Sequence, residues 1–254
     1  MRCIPDLPYR QPAAERQSAD LYLPDAAVTA GDCLVWAHGG GLSEGSKSCE
    51  DPLQAHLTAA GFAVCRINYR LLQHAPWPAC LEDVAAAVAW APAALAAHGF
   101  ACRRLFLGGM SAGAYLAAMV GLDRRWLAAY GEEPSRLAGV IALSGQMTSH
   151  FAYRVAIGHP ADRPLIDHAA PLWHVRPDAP PLLLIAGSDD IPCRPEENRL
   201  MEAAMRHAGH RHTACHIIPD RNHGTIFFRP DDSADEVTQL FCAFLGIPAP
   251  AAAG

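Results

Sequence analysis

The stretch that most restricts this chain is Leu107-Gly108-Gly109-Met110-Ser111-Ala112-Gly113-Ala114-Tyr115, an apolar run that enters Gly-x-Ser-x-Gly and leaves it as a helix-like pattern. A serine centred in that spacing sits on a sharp strand-to-helix turn, with its hydroxyl pushed into the open. Gly109 and Gly113 leave room for the strained backbone there. The pattern is short enough to arise by chance, as a helix N-cap behind a glycine turn. Its surroundings decide the matter. Residues 104–107 read as a buried strand, and 111–121 carry apolar residues on most faces, as a central helix does. Upstream, a second apolar strand runs straight into His38-Gly39-Gly40-Gly41. Two glycine-rich motifs, each closing a strand, are far more specific together than either alone.

The same alternation continues along the chain. Strands are expected over 19–23, 32–37, 62–68, 104–107, 137–144, 182–186 and 213–218, and helices over 51–60, 79–98, 111–121, 195–208 and 233–245. Asp51 and Pro52 suit the start of the helix at 51–60. Pro92 is expected to kink or divide the helix at 79–98. Residues 145–180 are rich in His, Pro and Asp and hold no sustained period. So long a connection suits a short lid over 146–174, or an irregular surface excursion. The Pro/Ala-rich tail 248–254 is expected to fray. Continuous apolar strands alternating with helices indicate an α/β fold in a single domain over 1–254, a mainly parallel central sheet with helices on both faces. Sites in such sheets form beyond the carboxyl ends of the strands, where both motifs lie.

Composition narrows the partners. With 51% hydrophobic and 18% charged residues the chain has a sizeable core to bury. A formal charge of −6 argues against nucleic acid or an anionic membrane surface, which call for clustered Lys and Arg. Arg103-Arg104 and Arg124-Arg125 are locally basic, but each flanks a core element. No uninterrupted apolar run approaches about 18 residues, so no membrane span is expected, and residues 1–6 lack the apolar centre of a signal peptide. The nine cysteines are scattered without a CxxC pair, which points to a reducing, cytoplasmic setting, with Cys33 and Cys65 as small core hydrophobes. His207, His210, His212, Cys215 and His216 straddle a helix end, a turn and a strand, so convergence on one ion is not expected. Neither metal nor cofactor is expected.

An activated serine needs three supports. A neutral imidazole takes the hydroxyl proton, a carboxylate holds that imidazole in the right tautomer, and backbone amides meet the oxygen that becomes negative. The chain offers 13 histidines, and Asp189 and Asp190 both follow the strand at 182–186, with Asp167 a more distant acid. Ala112, behind the serine, and Gly40 and Gly41, in the glycine loop, are the expected amide donors. His38 reads as a brace for that loop.

His38-Gly39-Gly40-Gly41, Asn68-Tyr69-Arg70, Gly109-Met110-Ser111-Ala112-Gly113, Gly187-Ser188-Asp189-Asp190 and Asn222-His223-Gly224 together resemble an α/β-hydrolase of the esterase/lipase type related to hormone-sensitive lipase, with arylformamidase-like relatives. The resemblance runs through nearly the whole chain, although the family's bulky N-terminal cap is missing or reduced. It implies the chain order serine, acid, histidine, which leaves His207, His210, His212, His216 and His223 as bases. His223, in the loop between the last strand and last helix, matches the family's catalytic histidine. The family's spacing, a glycine and then Asp three positions on, selects Asp190 over Asp189. The implied activity is a cofactor-independent serine esterase acting on small carboxylic esters, with Ser111, Asp190 and His223 as catalytic residues and Gly40, Gly41 and Ala112 as the oxyanion hole. The alternatives are arylformamidase-type amide hydrolysis by the same triad and, outside the enzymes, a silent ligand-binding protein of this fold. Trp77, Tyr69 and Met110 are candidates for the pocket wall.

Overall fold

Successive side chains of a strand point to opposite faces, so a strand covered on both sides must be apolar throughout. The central strands obey this in the computed structural model, which describes residues 1–48, 52–227, 229, 232 and 234–249. The strands are β1 (Arg2–Pro8), β2 (Ser18–Leu23), β3 (Ala30–Ala37), β4 (Ala63–Ile67), β5 (Ala101–Met110), β6 (Leu137–Leu143), β7 (Leu182–Asp189) and β8 (Thr213–Asn222). They form one sheet in the order β1-β2-β4-β3-β5-β6-β7-β8. The run from β4 to β8 is parallel, and β2 pairs antiparallel with both β1 and β4.

The helices are α1 (Leu53–Ala59), α2 (Ala79–Ala97), α3 (Ala112–Leu122), α4 (Arg124–Ala128), α5 (Phe151–Ala156), α6 (Arg194–His207) and α7 (Glu236–Leu245). One face of the sheet presents Cys33, Val35, Ala37, Ala63, Cys65 and Leu107 to α2, α3 and α6. The other presents Leu34, Trp36, Val64, Phe106, Ile141 and Ile185 to α1 and α7. Every residue of α3 is buried, which explains its unbroken apolar sequence.

Several expectations need correction. β1 was not expected, because Pro5 and Asp6 interrupt its pattern. An edge strand tolerates Pro, having one row of amides with no neighbour to bond, and the register shifts between Ile4 and Leu7. Pro92 does not divide α2, which runs unbroken through it. Proline removes one backbone bond, but α2 packs most of its length against the sheet and α3, and that burial outweighs the loss. α2 is also long and apolar enough on average to cross a membrane, although Glu82 and Asp83 interrupt its apolar run; most of it is buried within the fold. α4, capped by the Asp123 carboxylate accepting from the Arg125 amide at 3.1 Å, was also missed. The starts expected at Asp51 and Ser233, and the tail from residue 250, lie outside the described residues. Residues 1–29 hold β1 and β2 and no helix.

The stretch 145–180 contains α5 and a turn of 3-10 helix at Pro171–His174. Its root is anchored. Residues 145–150 are buried, and the Glu197 carboxylate of α6 accepts from the Met147 and Thr148 amides at 2.9 and 3.2 Å and from the Thr148 hydroxyl at 2.8 Å. Tyr115 of α3 donates its hydroxyl to the Ala169 carbonyl at 2.7 Å.

Candidate active site

β3, β5, β6, β7 and β8 end along one edge of the sheet, and each releases a polar residue there. β5 ends at Met110 and α3 begins at Ala112, so Ser111 alone makes the turn, at φ +53° and ψ −114°. Non-glycine residues rarely adopt such a backbone, and it persists only where the surroundings impose it. Here the Ser111 amide donates to the Leu143 carbonyl of β6 at 2.8 Å, and its carbonyl accepts from Tyr115 at 3.0 Å.

Beyond β8, His223 lies in the turn directly after Asn222, and its Nε2 is 2.9 Å from Ser111 Oγ. Its Nδ1 is 2.7 Å from Asp190 Oδ1, beyond the end of β7. Asp190 is the acid brought to the imidazole. Asp189 is exposed and meets the Ser188 hydroxyl at 3.4 Å, and Asp167 is engaged by Ser149 at 2.7 Å. Burial works to raise the Asp190 carboxyl, but hydrogen bonds from His223, Ser144 and the Ile191 amide outweigh it and hold it below the usual carboxylate range. The carboxylate therefore stays charged beside the imidazole.

The glycine loop after β3 forms the facing wall. Gly40 and Gly41 take φ of +110° and +61°, and the Gly40 carbonyl accepts from the Ser43 and Glu44 amides, both at 3.0 Å. Ala112, the first residue of α3, has an amide with no intrahelical acceptor, as every helix start does. His38 behaves as a brace. Its ring stacks on Tyr69 at 4.4 Å, its Nε2 accepts from Arg16 at 3.1 Å, and Nδ1 donates to the Gly39 carbonyl at 2.6 Å. Burial pushes this imidazole down to about 4, with Arg16 adding to the shift and the Gly39 bond opposing it, so it is neutral at ordinary pH. The Asn68-Tyr69-Arg70 motif fixes the same loop. Asn68 accepts from the Lys47 amide at 2.7 Å, Tyr69 donates to the His38 carbonyl at 2.8 Å, and Arg70 pairs with buried Asp83.

These parts border a cavity of about 760 Å³. Trp36, Leu53, Leu143 and Phe241 form its buried apolar lining with Met110, Ser43, Glu44 and Ser46 a polar side, and Phe151, Ile191 and Phe227 an exposed rim. Of the expected wall residues only Met110 lies here. Tyr69 braces the loop and Trp77 packs on Tyr153 at 4.7 Å. His210 is tied to Thr213 and the Ala179 carbonyl, and among the described residues no three His, Cys, Asp or Glu side chains gather as a metal site. The sequence reading missed Ser144, Arg16, Arg194 and the buried pocket wall. Ser144 had one signal: it follows a strand that ends on the same edge as both motifs.

The sequence matches the family model BD-FAE over residues 19–205. Esterase LipC of Mycobacterium tuberculosis is 27% identical over 210 residues, covering 75% of this chain and 52% of LipC. Esterase LipQ of the same organism is 27% identical over 237 residues, covering 86% of this chain and 56% of LipQ. The chain thus spans about half the length of these relatives. Among solved structures, a truncated form of a carbohydrate esterase from gut microbiota superposes with a TM-score of 0.79 at 21% identity, covering 97% of this chain and 94% of that one. That similarity shows the α/β-hydrolase fold.

Proposed function

We propose, because this chain belongs to the BD-FAE family, that it is a serine hydrolase cleaving small carboxylic esters through an acyl-enzyme on Ser111. The observation that carries this reading is the relay of 2.9 Å from Ser111 Oγ to His223 Nε2 and 2.7 Å from His223 Nδ1 to Asp190, facing a largely apolar cavity. The naming of LipC and LipQ as esterases supports it.

In the proposed reaction Ser111 Oγ attacks the ester carbonyl carbon as its proton passes to His223 Nε2. The carbonyl oxygen becomes negative and is met by the amides of Ala112, Gly40 and Gly41. In other serine hydrolases each such donor lowers the barrier by about 2.7–4 kcal/mol. Collapse of the tetrahedral species expels the alcohol, which takes the proton from Nε2. Water then attacks the acyl-enzyme, giving a proton to Nε2; collapse breaks the acyl–Oγ bond, Ser111 takes that proton back from Nε2, and the carboxylic acid leaves. The cytoplasmic setting belongs to this reading and is supported by eight free cysteines among the described residues.

The test is labelling of Ser111 by a fluorophosphonate, with turnover of aryl esters of increasing acyl length. Labelling at Ser111 with ester turnover supports the reading. Faster cleavage of an aryl formamide than of any ester would shift it to amide hydrolysis, and an unlabelled, inert wild-type protein would overturn it.

A further inference from the structure

Ser144 follows β6 at the same edge of the sheet, with no exposed surface and φ of +55°. Its hydroxyl lies between two members of the relay, against Asp190 Oδ2 and 2.9 Å from His223 Nδ1. The residue is held rigidly from both sides. Its amide donates to the Ile185 carbonyl at 2.6 Å, and its carbonyl accepts from Arg194 Nη1, a buried guanidinium on α6. Asn198, one turn further along α6, donates to the neighbouring Gly145 carbonyl at 2.9 Å. A non-glycine residue kept in the left-handed region by this many contacts points to a role for its side chain.

Counting protons leaves one arrangement. The carboxylate is charged and can only accept, so a proton must lie on His223 Nδ1 to make the 2.7 Å contact with Asp190 Oδ1. The Ser144 hydroxyl then cannot donate to Nδ1. It donates to Asp190 Oδ2 and accepts a second share of the Nδ1 proton. Nε2 is left with a free lone pair, the state needed to receive the Ser111 proton. The opposite tautomer would place hydrogen on Nε2 and block that transfer.

We infer that Ser144 is a positioning residue, a buried hydroxyl that holds the Asp190 carboxylate in place and shares the His223 Nδ1 proton, so that Nε2 faces Ser111 in its accepting form. The inference rests on the proposed hydrolase reading. Substrate does not touch Ser144, so its loss should act on turnover and not on binding.

The experiment compares wild type with Ser144→Ala and Ser144→Gly. Glycine fits φ of +55° without strain, so the second variant guards against misfolding, which thermal melting checks. For both variants kcat on an aryl ester should fall about 10- to 100-fold, the scale of one hydrogen bond to a charged group, with KM within about threefold. Proton NMR should show the low-field Nδ1–H resonance of His223 moving further downfield. Removing the second acceptor, and the donor that shares the charge of Asp190, both strengthen the remaining bond to Oδ1. A kcat within about twofold of wild type would overturn the inference. So would a loss of kcat with the resonance unmoved, which would mark a structural role. If wild type itself turns over no ester, the hydrolase reading fails, and the resonance still reports whether Ser144 shares the proton.

Discussion

Gly113 is where the two halves of the site touch, and replacing it with alanine should separate them. A Cβ built there would lie 2.5 Å from the His38 carbonyl oxygen and 2.6 Å from the Ala37 carbonyl carbon. Ordinary contact begins at 3.4 Å, so the backbones must part by about 0.9 Å at the His38 oxygen, the difference between 3.4 and 2.5 Å, and by more at the Ala37 carbonyl oxygen, which lies nearer still. Neither atom is the end of a flexible side chain. α3 carries Ser111 at its start, while the end of β3 carries the His38–Gly41 loop, so the separation moves the nucleophile away from the amides opposite it. Displacing reacting groups by about 1 Å costs about 100-fold in rate, and overpacking of this kind costs about 1–3 kcal/mol. The Gly113→Ala variant should therefore lose about 100-fold in kcat/KM on an aryl ester and melt about 2–12 °C lower, at roughly 2–4 °C per kcal/mol for a chain of this size. Gly131→Ala is the control. A Cβ there meets nothing within 4 Å and strains only a φ of +70°, so it should lower stability slightly and leave activity alone. A Gly113→Ala protein that keeps more than about a third of wild-type kcat/KM and melts within about 1 °C of it would refute the reasoning.

Ser111→Gly should abolish turnover and raise unfolding free energy by about 1–3 kcal/mol, since glycine adopts φ of +53° freely; a urea midpoint no higher than wild type would contradict stored strain at this turn. Asp190→Asn should lower kcat at least about 100-fold and Asp189→Asn less than about tenfold, because only Asp190 contacts the imidazole; the reverse ranking would reassign the acid. His38 is held near 4 in the folded chain against an ordinary value of 6.5. Between those values the unfolded chain binds the extra proton, so stability is full above pH 6.5 and falls as pH drops toward 4, by about 3 kcal/mol from this group. His38→Gln, which cannot titrate, should flatten that loss in urea unfolding at pH 7 and 4.5. Equal losses in both proteins would remove His38 from the account.

What was legible in the sequence is what neighbouring residues impose on one another. The spacing of Gly109, Ser111 and Gly113 announces the turn because the obstacle a side chain at Gly109 would meet is the Gly113 backbone, inside the motif; the obstacle at Gly113 is the distant Ala37–His38 backbone, which only the fold supplies. The apolar runs announce covered strands because burial on both faces demands every position. Asp190 and His223 were found only with the help of resemblance, since no local rule separates Asp189 from Asp190 or one loop histidine from another. Their distinction is a matter of direction: β7 and β8 run side by side with Asp189 opposite Asn222, and the next residue of each chain turns toward the other. Ser144 lies 46 residues from Asp190 and 79 from His223, and only the sheet order places their atoms together. The same holds for Arg16, which reaches across 22 residues to steady His38. Sequence periodicity and steric rules act over a few residues, so they determined the elements and the nucleophile. The partners of that nucleophile were decided by tertiary packing, because a hydrogen bond between distant segments depends on where each strand ends in space and leaves no periodic trace in the chain.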